Sequence, residues 1–210
     1  MKLHTADGLA LEAEWSVPDD ARAAVVLCHP HPQYGGTMRS IVISALFDAL
    51  PKQGVACLRF NFRGVEGSDG VYGEGRDEPV DVVAAIDAAS IAVPGAPRVL
   101  VGWSFGADMA LTVDDPRIAG WVGIAPPLRF RTARDFSKVA ADERPKLLVL
   151  AEHDEFRAPR EIEAEVAGWA HTRVEVVPGA SHFFVGRTER VVELTARSVL
   201  GLAGERGDPA

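Results

Sequence analysis

The chain has 210 residues, 47% hydrophobic and 25% charged, a globular composition long enough to bury a core without a disulfide or metal staple. Thirty acids against 22 bases leave a formal charge of −8, which opposes a phosphate-backbone partner and excludes nucleic acid. The opening MKLHTADGLALEAEW lacks the apolar run of an export signal, and no membrane-length apolar stretch follows, so the reading is a cytoplasmic protein with no membrane partner.

Residues 3–5 read as a short edge strand and 9–17 as the next. Ala23–Cys28, Val55–Phe60, Arg98–Trp103 and Ile118–Ile124 follow, then residues 146–151 and 173–177. Several are continuous Val/Leu/Ala runs, the pattern of strands covered by helices on both faces. Helical patterns lie between them at 38–50, 80–91, 104–111, 160–170 and 188–200. Strands alternating with helices predict a mainly parallel sheet in one α/β domain over residues 1–200, followed by a fraying tail at 201–210. Nothing in the sequence sets an oligomeric state. Cys28 and Cys57, each within an apolar run, read as small buried hydrophobes in a reducing compartment.

In such sheets ligands bind beyond the carboxyl ends of the strands, so chemistry is sought just after each strand. Gly102-Trp103-Ser104-Phe105-Gly106 follows the run Val99-Leu100-Val101 and opens a helix. A serine at the apex of so tight a turn adopts a strained backbone, and glycines two before and two after let strand and helix approach. The turn also sets the N–H of Phe105 where an oxyanion forms. A serine hydroxyl needs a base and a group to orient that base. Asp154 follows the strand at 146–151, and His182 follows the strand at 173–177, giving the order Ser, Asp, His. Asp108, one turn along the serine's helix, is the rival acid.

These pieces together resemble the α/β-hydrolase superfamily. Within it the chain is similar to small, lid-poor, dienelactone-hydrolase-like proteins with a His-Pro-His-Pro segment. The resemblance runs from about residue 9 to residue 200. It is carried by Cys28-His29-Pro30-His31-Pro32-Gln33-Tyr34-Gly35-Gly36, Phe60-Asn61-Phe62-Arg63-Gly64-Val65-Glu66-Gly67-Ser68, Gly102–Gly106, His153-Asp154 with Pro159, and Gly179–His182. It implies a roughly eight-stranded, mostly parallel sheet whose second strand is antiparallel. It further implies Ser104 as nucleophile, His182 as base and Asp154 as orienting acid. The loop after the third strand then supplies a second oxyanion donor. Pro30 and Pro32 carry no N–H, which leaves His31, with Gln33 in reserve.

His29-Pro30-His31 also fits the H-x-H metal pair of amidohydrolase barrels, but 210 residues fall short of the ~250 typical there and no further ligand cluster follows. The expectation is no metal and no cofactor, with His29 bonding a nearby backbone group. Arg63 and the glycines after it match no phosphate-binding motif and read as a turn, with Arg63 tying loops together. Residues 125–144 are the one stretch able to cover the site. There Leu128, Phe130 and Phe136 interleave with Arg129, Arg131 and Arg134, either as a short amphipathic helix with solvated arginines or as an acyl pocket that attracts an anionic group. Gln33, Leu128, Phe130 and Phe156 are the expected pocket residues.

The expected chemistry is hydrolysis of a small ester or thioester through an acyl-enzyme. The alternatives are a peptidase or amidase with the same triad, and a non-catalytic binding protein on the same fold.

Overall fold

The apolar runs between polar turns form strands that all enter one sheet. The computed structural model describes residues 1–204. Residues 205–210 and the side chains of Ala133 and Arg134 lie outside the described residues, and so does the proposed role of Arg134. The strands are β1 (Lys2–His4), β2 (Ala10–Ser16), β3 (Ala23–Cys28), β4 (Val55–Phe60), β5 (Arg98–Trp103), β6 (Ile118–Ile124), β7 (Lys146–His153) and β8 (Thr172–Ser181). Their spatial order is β1-β2-β4-β3-β5-β6-β7-β8. β2 runs antiparallel to both its neighbours and the remaining pairs are parallel, as the resemblance implied.

Among the described residues, six α-helices cover the sheet: α1 (Ile41–Ala49), α2 (Glu78–Ala92), α3 (Phe105–Ala110), α4 (Ala133–Ala141), α5 (Pro159–Val166) and α6 (Thr188–Gly204). Alternate side chains of the central strands divide between two cores. Val26, Cys28 and Leu100 pack with Val82 and Ile86 of α2 and Met109 of α3. Val25, Leu27, Val99 and Val101 pack on the other face with Val42 and Leu46 of α1 and Leu194 and Val199 of α6. Every residue of β3 and β6 is buried, as the unbroken apolar runs require. No helix among the described residues is long and apolar enough to cross a membrane.

Three helix boundaries differ from the sequence reading by three residues or more. α1 starts at Ile41 because residues 37–40 close a polar turn, with Thr37 N–H donating to Ser40 Oγ at 3.0 Å. α5 ends at Val166, where Trp169 N–H turns back to the Val166 carbonyl. α6 continues to Gly204, so residues 201–204, expected in the tail, are helical.

Candidate active site

Ser104 caps α3 with φ 55° and ψ −122°, a region that L-residues rarely enter. The flanking glycines have no substitute. A Cβ on Gly102 would lie 2.2 Å from the Gly106 carbonyl oxygen, and one on Gly106 would lie 2.2 Å from the Cys28 carbonyl oxygen. Strand, turn and helix therefore meet backbone to backbone, and Ser104 is fixed further by its N–H donating to the Ile124 carbonyl at 2.8 Å. Phe105 is the first residue of α3, so its N–H has no carbonyl within the helix to bond.

β7 and β8 run further than their apolar residues suggest, and their ladder ends with His153 opposite Ser181. The next residues, Asp154 and His182, thus emerge side by side. Asp154 Oδ2 accepts from His182 Nδ1 at 2.8 Å, and His182 Nε2 lies 2.9 Å from Ser104 Oγ. Asp154 Oδ1 accepts two further backbone N–H groups, from Phe156 at 2.9 Å and Arg157 at 3.2 Å. The carboxylate is held at both oxygens, which fixes its plane towards the imidazole.

Three groups that the sequence reading did not single out hold the histidine segment. Glu155 accepts the His182 N–H at 3.0 Å, and Glu152 accepts the Gly179 N–H at 2.7 Å. The indole N–H of Trp103 donates to the His182 carbonyl at 3.2 Å. Their adjacency in sequence to Asp154 and Ser104 was the available signal.

The loop after β3 packs His31 among the rings of Tyr34, Tyr72, Phe105 and Phe130, at centroid distances of 4.6 to 5.2 Å. Its Nδ1 accepts the Gln33 N–H at 3.2 Å, so Nε2 carries the proton and donates to the Tyr72 hydroxyl at 3.1 Å. Gln33 N–H is thereby spent and drops out as a reserve oxyanion donor. The His31 N–H has no acceptor among the described residues. His29 is fully buried, with Nε2 accepting from Phe62 N–H at 3.0 Å and Nδ1 donating to the Pro30 carbonyl at 2.6 Å. Burial pushes its pKa down to about 4, so it is neutral at pH 7. The two imidazoles of the H-x-H pair serve separate partners.

Ser104 and His182 open into a cavity of about 480 Å³. Trp103, Tyr34, Ile41, Phe130, Phe156 and Phe183 form its walls, with Pro127 and Arg129 at one side. Of the four expected pocket residues, Phe130 and Phe156 line it and Gln33 and Leu128 do not. Gln33 is exposed on a short 3-10 turn, Pro32–Tyr34, that presents Tyr34 instead. Leu128 has a positive φ of 48°, which turns its side chain into the core under α3 and leaves Arg129 at the cavity.

That turn is set by Asp108. The expected partners of this residue are solvent, an arginine or the catalytic imidazole. Its fully buried carboxylate instead accepts three successive N–H groups, from Leu128, Arg129 and Phe130, at 2.9 to 3.1 Å. Burial raises its pKa to about 6 against the pull of those three bonds. The stretch expected as a rim is this pinned loop followed by α4, whose Phe136 and Val139 face the core. Arg63 ties loops as expected, paired with Asp81 and with Asp7. Cys28 and Cys57 are buried, and burial raises both thiols far above their ordinary range.

Comparisons with known proteins bear on the family and the fold. Residues 19–163 match the family described as serine aminopeptidase, S33. An uncharacterized protein of Rickettsia prowazekii is 34% identical over 179 residues, covering 81% of this chain and 75% of its own. Among solved structures, an α/β serine hydrolase homologue from Coxiella burnetii is 32% identical with a TM-score of 0.84, over 95% of this chain and 96% of its own. A serine hydrolase without a lid from Xanthomonas campestris is 26% identical with a TM-score of 0.83, over 96% and 93%. The chain belongs to the serine aminopeptidase S33 family, within the α/β-hydrolase superfamily of serine hydrolases.

Proposed function

We propose that this cavity hydrolyses small carboxylic esters or thioesters through an acyl-enzyme on Ser104. The observation that carries the proposal is the pair of hydrogen bonds, 2.9 Å and 2.8 Å, that run from Ser104 Oγ through His182 to Asp154. With Nδ1–H donated to Asp154, the lone pair of His182 Nε2 faces the serine hydroxyl. Nε2 takes the hydroxyl proton as Oγ bonds to the substrate carbonyl carbon. The carbonyl oxygen becomes an oxyanion, met by the N–H of Phe105 and the N–H of His31. As the tetrahedral adduct collapses, Nε2 returns the proton to the leaving alcohol or thiol. Water then attacks the acyl-enzyme with His182 again as base. Asp154 keeps the imidazole in one tautomer and stabilises its charged form.

The walls favour ester cleavage over the aminopeptidase activity that the family's description names. An aminopeptidase must hold an α-ammonium group, and the cavity lining has no aspartate or glutamate to do so. Its one permanent charge, Arg129, would repel that ammonium.

A fluorophosphonate probe with peptide mapping, beside a panel of 4-nitrophenyl esters, acyl thioesters and aminoacyl 4-nitroanilides, tests the proposal. The expected result is labelling at Ser104 and turnover of esters or thioesters. Faster turnover of the anilides would favour the peptidase. Absence of both labelling and turnover would favour a binding protein.

A further inference from the structure

Among the described residues, Arg129 is the one arginine or lysine that lines the cavity, and no carboxylate pairs with it. The chain carries an excess of eight negative charges, and its buried or half-buried arginines around the site are paired. Arg131 is held by the Gly75 carbonyl and Asp135, and Arg157 by the Pro127 carbonyl and Glu165. Arg129 has no carboxylate within 4 Å among the described residues and lines the same cavity as Ser104 and His182.

Its placement is built. Asp108 grips the Arg129 N–H at 3.0 Å and the two neighbouring N–H groups, which aims the side chain at the cavity. The guanidinium lies over two rings, 5.6 Å from the centroid of Phe130 and 5.9 Å from that of Phe156. Phe156 in turn packs against the His182 imidazole with centroids 4.5 Å apart. One ring therefore separates the cation from the base. Arg129 is exposed to solvent, with the two rings along one side of the guanidinium and its donors open on the other. The charge is felt across the cavity, because after burial it is the next cause holding the His31 imidazole below its ordinary pKa.

We propose that Arg129 recognises an anionic group, a carboxylate or its equivalent, on the substrate, a few bonds from the carbonyl that Ser104 attacks. The preferred substrates are then small esters or thioesters that carry an ionised group on the acyl or the leaving side. This rests on the ester-cleaving reading of the same cavity and names its substrate class.

Two matched pairs of esters test it and distinguish where the anion sits. On the acyl side the pair is 4-nitrophenyl butyrate and the mono-4-nitrophenyl ester of glutaric acid. On the leaving side it is phenyl acetate and 4-acetoxybenzoate. The readout is the ratio of kcat/KM for the anionic ester to that for its neutral partner. In at least one pair, Arg129→Gln should lower this ratio about tenfold and Arg129→Glu further, with Arg129→Lys retaining most of it, because a charge-assisted hydrogen bond is lost. The wild-type ratio should also shrink as NaCl rises from about 0.05 M to about 1 M. Ratios unchanged within twofold by Arg129→Gln in both pairs would overturn the proposal.

Ser104→Ala abolishes turnover of all four esters if the serine mechanism holds, whatever Arg129 does, so the two readings fail separately. Calorimetric binding of the glutaryl half-ester and of 4-acetoxybenzoate to Ser104→Ala supplies the readout without turnover. Binding of either that weakens about tenfold when Arg129→Gln is added supports the proposal, and binding of both that does not change overturns it.

Discussion

His153 and Ser181 face each other across the last rung of the β7–β8 ladder, and this pairing brings Asp154 and His182 together. A parallel register fixes which residues leave the sheet at the same height. The 2.8 Å bond between Asp154 and His182 thus follows from strand pairing before any side chain is chosen.

Asp154→Asn replaces the acceptor that fixes the imidazole tautomer, and kcat should fall about 10⁴-fold while the fold persists. Asp108→Asn should cost a few-fold, expressed chiefly in KM, because Asp108 orders the loop that bears Arg129 and Phe130 and does not touch His182. Steady-state kinetics of the two variants side by side decide this. A crippled Asp108→Asn beside a nearly normal Asp154→Asn would reverse the assignment of the acid.

Ser104→Ala should lose about 10³-fold or more in kcat, with the circular dichroism spectrum unchanged. Turnover that survives this substitution and disappears with a chelator would end the serine mechanism.

Gly106→Ala sets a methyl group 2.2 Å from the Cys28 carbonyl oxygen, a backbone atom that cannot swing away. The expected loss is about 3 kcal/mol or more, because β3 and α3 must separate to admit it. Urea unfolding of the soluble variant checks this. A midpoint near that of the wild type would show that the close approach is dispensable.

Asp108 also predicts a stability profile. Its folded pKa, about 6, lies above the 3.8 of a free aspartate. A group whose pKa is raised on folding contributes stability that is fully present below the unfolded value and is lost as pH rises through the folded one. Between the two values the folded protein binds a proton that the unfolded chain has released, which is worth about 1.4 kcal/mol for each pH unit crossed. Wild type relative to Asp108→Ala should therefore lose about 3 kcal/mol between about pH 4 and pH 6 and stay level above that. Paired urea titrations across that range measure the difference. A difference that rises with pH would contradict the sign.

The apolar walls and the pinned loop predict a preference for short or compact acyl groups, since α4 is a rim and, among the described residues, no longer segment closes over the site. Rates along a 4-nitrophenyl ester series from acetate to palmitate test it. A sharp optimum at the long chains would show the cavity to extend further than its walls imply.

Much of this architecture was legible where burial dictates residue type. β3, β4, β5 and β6 fall on the residues that their Val/Leu/Ala runs mark, because both faces are covered and all positions but the half-buried Arg59 and Arg98 are buried. The far ends of β7 and β8 were not legible. Glu152, His153, Pro178 and Gly179 read as loop, yet the backbone ladder continues beneath exposed side chains that burial does not constrain. The glycines around Ser104 announced the turn because the close approach there admits no Cβ. The cavity wall differs from its expected lining by one residue at two places, with Tyr34 where Gln33 is expected and Arg129 where Leu128 is expected. Both lie in loops whose twist is set from outside, and Asp108 sets that of Leu128 from 20 residues away in sequence.

The backbone at Ser104 suits glycine better than the residue that occupies it. Ser104→Gly should therefore be more stable than Ser104→Ala, since strain of about 1–3 kcal/mol is relieved only where no Cβ is present. A screen of random variants for heat resistance alone would accordingly enrich glycine at position 104 and return well-folded, inert proteins. Directed evolution of this chain has to select for turnover and thermal survival in the same round.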